Sequence, residues 1–187
     1  MKIPENYEPL MQAADIILRS VGEDPAREGL VRTPHRFAKA MNELCSGYRL
    51  TPMDAVGEGI FDSEGGMVAV RDIPFQSLCE HHMLPFWGHV SVCYIPDQKI
   101  VGLSKIPRLV EVFSRRLQVQ ERLTQQIAEG LFEVIQPKAV AVRISGAHAC
   151  MMMRGVRTIG STTVTEHALG LEKLDTVQVG RMWNSID

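Results

Sequence analysis

The sequence predicts an α+β protein, an antiparallel sheet with two helices on one face, preceded by an N-terminal helical segment. Three observations carry this. Apolar residues recur at helical spacing twice before residue 51, and the period shortens to two in 67–73 and 87–95. Two helical stripes then separate those strands from a second pair at 139–145 and 158–165. Consecutive strands, rather than strict alternation with helices, favour antiparallel pairing.

Taken in order, Leu10, Met11, Ala14, Ile17, Leu18 and Val21 make the first helical stripe, and Gly22 stops it. Thr33 supplies a capping hydroxyl before Pro34 at the first helical position, and Phe37, Ala40, Met41 and Leu44 continue a helix to near Gly47. Pro52, Gly57, Gly59, Gly65 and Gly66 mark 51–66 as a loop-rich junction. The chain therefore divides into a helical segment, 1–60, and a body, 61–187, within one functional domain. In the body, Val90, Val92 and Tyr94 oppose Ser91, Cys93 and Ile95 across a strand. Ser104 and Pro107 open a helix whose buried stripe is Ile106, Leu109, Val110, Phe113 and Leu117. After a polar break at Gln120-Glu121, Leu123, Ile127, Leu131 and Ile135 form a second stripe that Pro137 ends. The alternation returns in Ala139 to Ser145, and Thr158 to Thr165 is the last strand. Helices on one face leave the sheet's edges and other face open, so an oligomer with sites at subunit borders is expected.

A chain of 187 residues with 45% apolar and 22% charged residues suits one globular domain. The net charge of −2 excludes a nucleic-acid binder driven by overall charge, although a local arginine cluster can hold a phosphorylated small molecule. Four cysteines are sparse for a disulfide scaffold, and MKIPENYEPL has no apolar leader region, so a cytoplasmic location is expected. No apolar run approaches the roughly 20 residues needed to span a bilayer, so no membrane insertion is expected.

The most informative stretch is Cys79-Glu80-His81-His82, answered downstream by His148-Ala149-Cys150. Zinc takes thiolate and imidazole ligands at such spacings, and a catalytic zinc keeps three protein ligands and leaves its fourth position to water. Cys79, His82 and Cys150 fit as ligands, with His81 and His148 as acid or base groups. Two alternatives stand beside this reading. The site is closed and structural if His81 or His148 is a fourth ligand, and the cysteines are inert if they are only small buried apolar residues. His35, His89 and His167 lack such neighbours and are read as surface or packing residues. Basic residues gather at Ser104, Lys105 and Arg108, where a helix start favours an anion, and at Arg154 and Arg157 after Cys150. Together they suggest a polyphosphate grip, or else solvated surface charge.

The segments SLCEHHMLPFWGHV, YIPDQKIVGLSKIPRLVEVFSRRLQVQERLTQQIAEGL and HACMMMRGVR, in this order, closely resemble GTP cyclohydrolase I, as does the earlier GEDPAREGLVRTPHRFAKAM. The resemblance spans about Gly22 to Thr165. It implies a tunnelling fold, assembled as a homodecamer of two pentameric rings with active sites between subunits. It implies Zn2+ on Cys79, His82 and Cys150, and proton transfer by His81 and His148. The implied reaction is hydrolytic opening of the GTP imidazole ring at C8, formate release, and rearrangement and reclosure to 7,8-dihydroneopterin triphosphate. Gln120 and Glu121 would hold the guanine edge; Lys105, Arg108, Arg154 and Arg36 the triphosphate; Ser104 the ribose. The tail departs from the family, with Glu166-His167 where a Ser-Ala pair is common, and no long N-terminal extension is expected. Two further readings share some of these features: another purine- or pterin-handling tunnelling-fold enzyme, and a zinc-stabilised oligomeric module that binds a nucleotide without turnover.

Overall fold

The computed structural model describes residues 7–187; the first six residues of the N-terminus read above lie outside the described residues. Helices α1 (Glu8–Ser20) and α2 (Thr33–Leu44) follow the two apolar stripes and pack on each other. The expected cap of α2 is corrected. Thr33 is already the first helical residue, Arg32 holds the cap position without a side-chain bond, and Pro34 still sits in the first turn, where a missing N–H costs nothing.

The junction at 51–66 is more structured than expected. Thr51 and Asp54 form a reciprocal capping box that starts the short helix α3 (Pro52–Val56). Strands β1 (Ile60–Asp62), β2 (Val68–Cys79) and β3 (Pro85–Ile95) follow, and β4 (Lys99–Val101) pairs back onto β1. Helix α4 (Lys105–Ser114) ends before Leu117, which belongs instead to the two-residue strand β5 (Leu117–Gln118), parallel to β2. Helix α5 (Gln120–Ile135) begins at Gln120, so Gln120-Glu121 is not a break but the helix's first turn. Strand β6 (Ala139–His148) runs past Ser145 into the short helix α6 (Ala149–Met152). The last strand, β7 (Thr163–Leu169), starts five residues later than Thr158. The cause is a run of left-handed backbone at Gly155, Arg157 and Gly160 (φ 62°, 52° and 85°), which cannot continue an extended strand.

The five-stranded sheet has the order β5-β2-β3-β6-β7, antiparallel except for the β5 edge. Its inner face buries Phe75, Val90, Val92, Tyr94, Val140, Val142 and Ile144 against Ile106, Leu109 and Val110 of α4 and Leu123, Ile127 and Leu131 of α5. The other face, expected to be open, is in part covered by helix α7 (Thr176–Asn184). Met182 and, just beyond the helix, Ile186 pack on Cys93, Ala139 and Ala141. Among the described residues, no helix is long and apolar enough to cross a membrane. Strand register does the positioning that matters: Leu78 lies opposite Pro85 and Phe86 opposite His148, which aligns the ends of β2, β3 and β6.

Candidate active site

Cys79 is the last residue of β2, and the chain turns sharply after it. The N–H groups of His82 and Met83 both donate to the Cys79 carbonyl, Cys79 N–H donates to Leu84, and Met83 is held left-handed (φ 52°). This tight turn gathers His81 and His82 around one sulfur, with each Nδ1 3.7 Å from Cys79 Sγ. From the opposite side, β6 ends at His148 and Cys150 enters on α6. The ligand atoms of Cys79, His82 and Cys150 all lie within 4.8 Å of one another. Tetrahedral zinc, with sulfur at about 2.3 Å and nitrogen at about 2.0 Å, requires neighbouring ligands roughly 3.6 Å apart, so the Cys79–His82 edge fits. The Cys150 thiol is held above its ordinary range, first by burial and then by the negative charge of Cys79. A divalent cation between the sulfurs reverses that repulsion, which is the second sign that the donor set suits a metal.

His148 stacks on Phe86 with centroids 4.9 Å apart and planes 3° from parallel. Burial lowers its pKa, against opposing pulls from Glu121 and the Gly146 backbone, and this favours a neutral imidazole at pH 7. The unfolded chain therefore binds more protons than the folded one in the window just below 6.5. Stability of the metal-free protein is expected to rise with pH through that window and to gain nothing from His148 above it. Denaturation midpoints between about pH 5 and 8, compared with His148→Asn, check this, since the difference isolates the His148 contribution.

These groups line a cleft of about 160 Å³ formed by Cys79, His81, Phe86, Gln118, Val119, Gln120, Glu121, His148 and Cys150. Gln120 is buried, and its amide nitrogen faces the Ile144 carbonyl (3.2 Å), the Thr163 carbonyl (2.9 Å) and Thr165 Oγ1 (3.1 Å). It thus ties the start of α5 to β6 and β7, while its Oε1 has no protein partner. Gly146 is what admits it: a Cβ there would meet Gln120 Oε1 at 2.5 Å. Gly146→Ala is expected to displace the amide and cost about 1–3 kcal/mol, as overpacking does, readable as a lowered denaturation midpoint.

Glu121 is exposed at the N-terminus of α5. Arg154 Nη1 lies 2.8 Å from His82 Nε2, and since a guanidinium only donates, this contact puts the ring proton on Nδ1. A metal held at Nδ1 would place that proton on Nε2, and Arg154 would then give up the contact. Of the remaining candidates, Ser104 precedes α4 without a capping bond, Lys105 and Arg108 occupy its first turn, and Arg36 lies in α2. None of these four lines the cleft. Sequence reasoning missed Phe86, legible only as one inward residue of an alternating strand, and the Glu80–Arg122 ion pair. Arg122 Nη1 and Nη2 reach the two Glu80 oxygens at 2.6 and 2.9 Å and hold that carboxyl below its usual range. Nothing local links residues 42 apart in the chain.

With this geometry in place, the chain matches the GTP cyclohydrolase I family over residues 10–187. The chain belongs to the GTP cyclohydrolase I family. The match passes both ends of the resemblance read from motifs, so the tail after Thr165, with Glu166-His167 and α7, lies within the matched span. GTP cyclohydrolase 1 of Deinococcus radiodurans is 52% identical over 173 residues, covering 92% of this chain and 79% of that protein. GTP cyclohydrolase 1 of Leptospira biflexa is 55% identical over 160 residues, covering 85% and 87%. Among solved structures, the apo form of archaeosine synthase QueF-Like has a TM-score of 0.47 and 19% identity, covering 58% of this chain and 97% of that one. In a GTP cyclohydrolase I family member, the Cys79-His82-Cys150 group and the flanking histidines become the first place to look for chemistry.

Proposed function

We propose that this chain is a zinc-dependent GTP cyclohydrolase I that opens the GTP imidazole ring at C8, releases formate, and rearranges and recloses the product to 7,8-dihydroneopterin triphosphate. The observation that carries the reading is the convergence of Cys79, His82 and Cys150 beside a cleft that also presents His81, His148 and Glu121, in a member of this family. A zinc ion held by the three ligands supplies Lewis acidity and brings the pKa of water to about 7.

The chain's own residues do the rest. His148, kept neutral by burial, accepts the proton as water adds to C8 and returns it to the departing ring nitrogen; His81, exposed at the cleft, exchanges protons with solvent. Glu121 accepts hydrogen bonds from the guanine N1–H and amino group, and Gln120, buried beside it, ties the start of α5 to β6 and β7 and so holds that carboxylate at the cleft. Lys105, Arg108, Arg154 and Arg36 take the triphosphate, and Ser104 takes the ribose through the later rearrangement. All five of these triphosphate- and ribose-binding groups lie outside the cleft, whose volume of about 160 Å³ is below the 300–1,000 Å³ common for ligand sites. That shortfall supports a homo-oligomer, a decamer by the family resemblance, in which a neighbouring subunit completes each site and residues 1–60 and 61–187 act as one unit.

Incubation with GTP and zinc, followed by oxidation, tests the reading. One formate and one fluorescent pterin per GTP are expected. Tight GTP binding with neither product would instead mark a nucleotide-binding module.

A further inference from the structure

We propose that the Glu80–Arg122 fork is a positioning strut that holds the metal-binding turn at a fixed separation from the start of α5. The inference rests on the metal reading above and adds residues that take no direct part in it. Cys79 to Met83 forms the turn that carries two proposed ligands, and Glu121 begins the helix proposed to read the base. Little backbone joins the two. The ladder between β2 and β5 has only the Leu78–Leu117 and Cys79–Gln118 pairs, extended by one bond from Glu80 N–H to the Gln118 carbonyl at 3.0 Å. Arg122 follows Glu121 directly and grips Glu80 with both terminal nitrogens, at 2.6 and 2.9 Å. Such a two-point contact fixes angle as well as distance, which a single bond or a lysine does not. The Glu80 Oε1 also lies 3.9 Å from His81 Nε2, close enough to bias the ring's orientation electrostatically.

The pair's side chains are 42% and 31% exposed, so its contribution to overall stability is small. Its effect is geometric: Cys79 and His82 flank Glu80, and tilting the turn moves both ligands relative to Cys150 on the far side. Groups that orient metal ligands from behind typically change metal affinity by about 10- to 100-fold when removed.

The test measures zinc affinity by competition with a chromophoric chelator, without nucleotide, for wild type, Glu80→Ala, Arg122→Ala, the double variant and Arg122→Lys. Each alanine variant is expected to bind zinc about 10- to 100-fold more weakly. The double variant should be no weaker than the worse single one, and Arg122→Lys should fall between. The thermal midpoint of metal-free protein should stay within a few degrees of wild type, and at saturating zinc kcat should fall more than KM rises. If Arg122→Ala does not fold, Glu80→Ala and Arg122→Lys carry the test. Wild-type zinc affinity in the single variants, or fully additive losses, overturns the strut. Wild-type protein that binds no zinc overturns both strut and metal reading, whereas zinc coupling without GTP turnover supports the strut and overturns only the substrate.

Discussion

Cys150→Ala protein is expected to fold and to lose turnover of GTP by about three orders of magnitude or more. The magnitude follows from several kcal/mol of charge stabilisation supplied by a metal, at about 1.4 kcal/mol per factor of ten. Cys150 is one of three donors gathered within 4.8 Å, and two donors from the Cys79 turn alone make a weak site. The fold should survive, because Cys150 sits on a four-residue helix at the rim rather than among the fully buried side chains between sheet and helices. Removing it also relieves the repulsion from Cys79 that raises its own pKa. Thermal midpoints with and without zinc separate the two effects. Wild type at zinc concentrations about 100 times Kd should gain roughly 2.7 kcal/mol, and the variant should gain nothing.

His148→Ala should leave zinc affinity within a few-fold of wild type while lowering kcat by about 10²- to 10⁴-fold, the usual contribution of a positioned acid or base. Two observations motivate this. The imidazole is held flat against Phe86 at 4.9 Å, and its lowered pKa keeps it able to accept a proton near neutral pH. Loss of the ring stack costs about 0.5–1.5 kcal/mol, too little to unfold the chain. Partial recovery of kcat by added imidazole would show that the missing function is proton transfer. Activity that follows zinc loss in His148→Ala would instead make His148 a ligand.

Much of this site was legible in the sequence because its spacing is local: Cys79 and His82 are three residues apart, and a turn between strands brings them together without help from the rest of the fold. Cys150 and His148 required tertiary register, which the alternation of β6 implied but could not fix. The body's strand and helix order was readable from period alone, whereas boundaries failed where backbone handedness decided them, as at Gly155, Arg157 and Gly160 before β7. Leu117 continued a helical stripe in sequence, yet it lies in β5, three residues past the end of α4 at Ser114. Helix α7 had a signal that went unread. Asp175 and Gln178 make a capping box that satisfies both exposed N–H groups, and its apolar face covers sheet that was expected to be open. The Glu80–Arg122 fork had none, since a Glu and an Arg far apart on a mixed-charge chain pair only once the fold exists.

The most direct measurement is a crystal structure of the zinc-loaded assembly, with data collected on both sides of the zinc absorption edge to place the ion. The account predicts zinc on Cys79 Sγ, His82 and Cys150 Sγ, with an exchangeable solvent oxygen as fourth neighbour and His148 and His81 nearby but unbound. Zinc closed by a fourth side chain, or found away from these three residues, would contradict it.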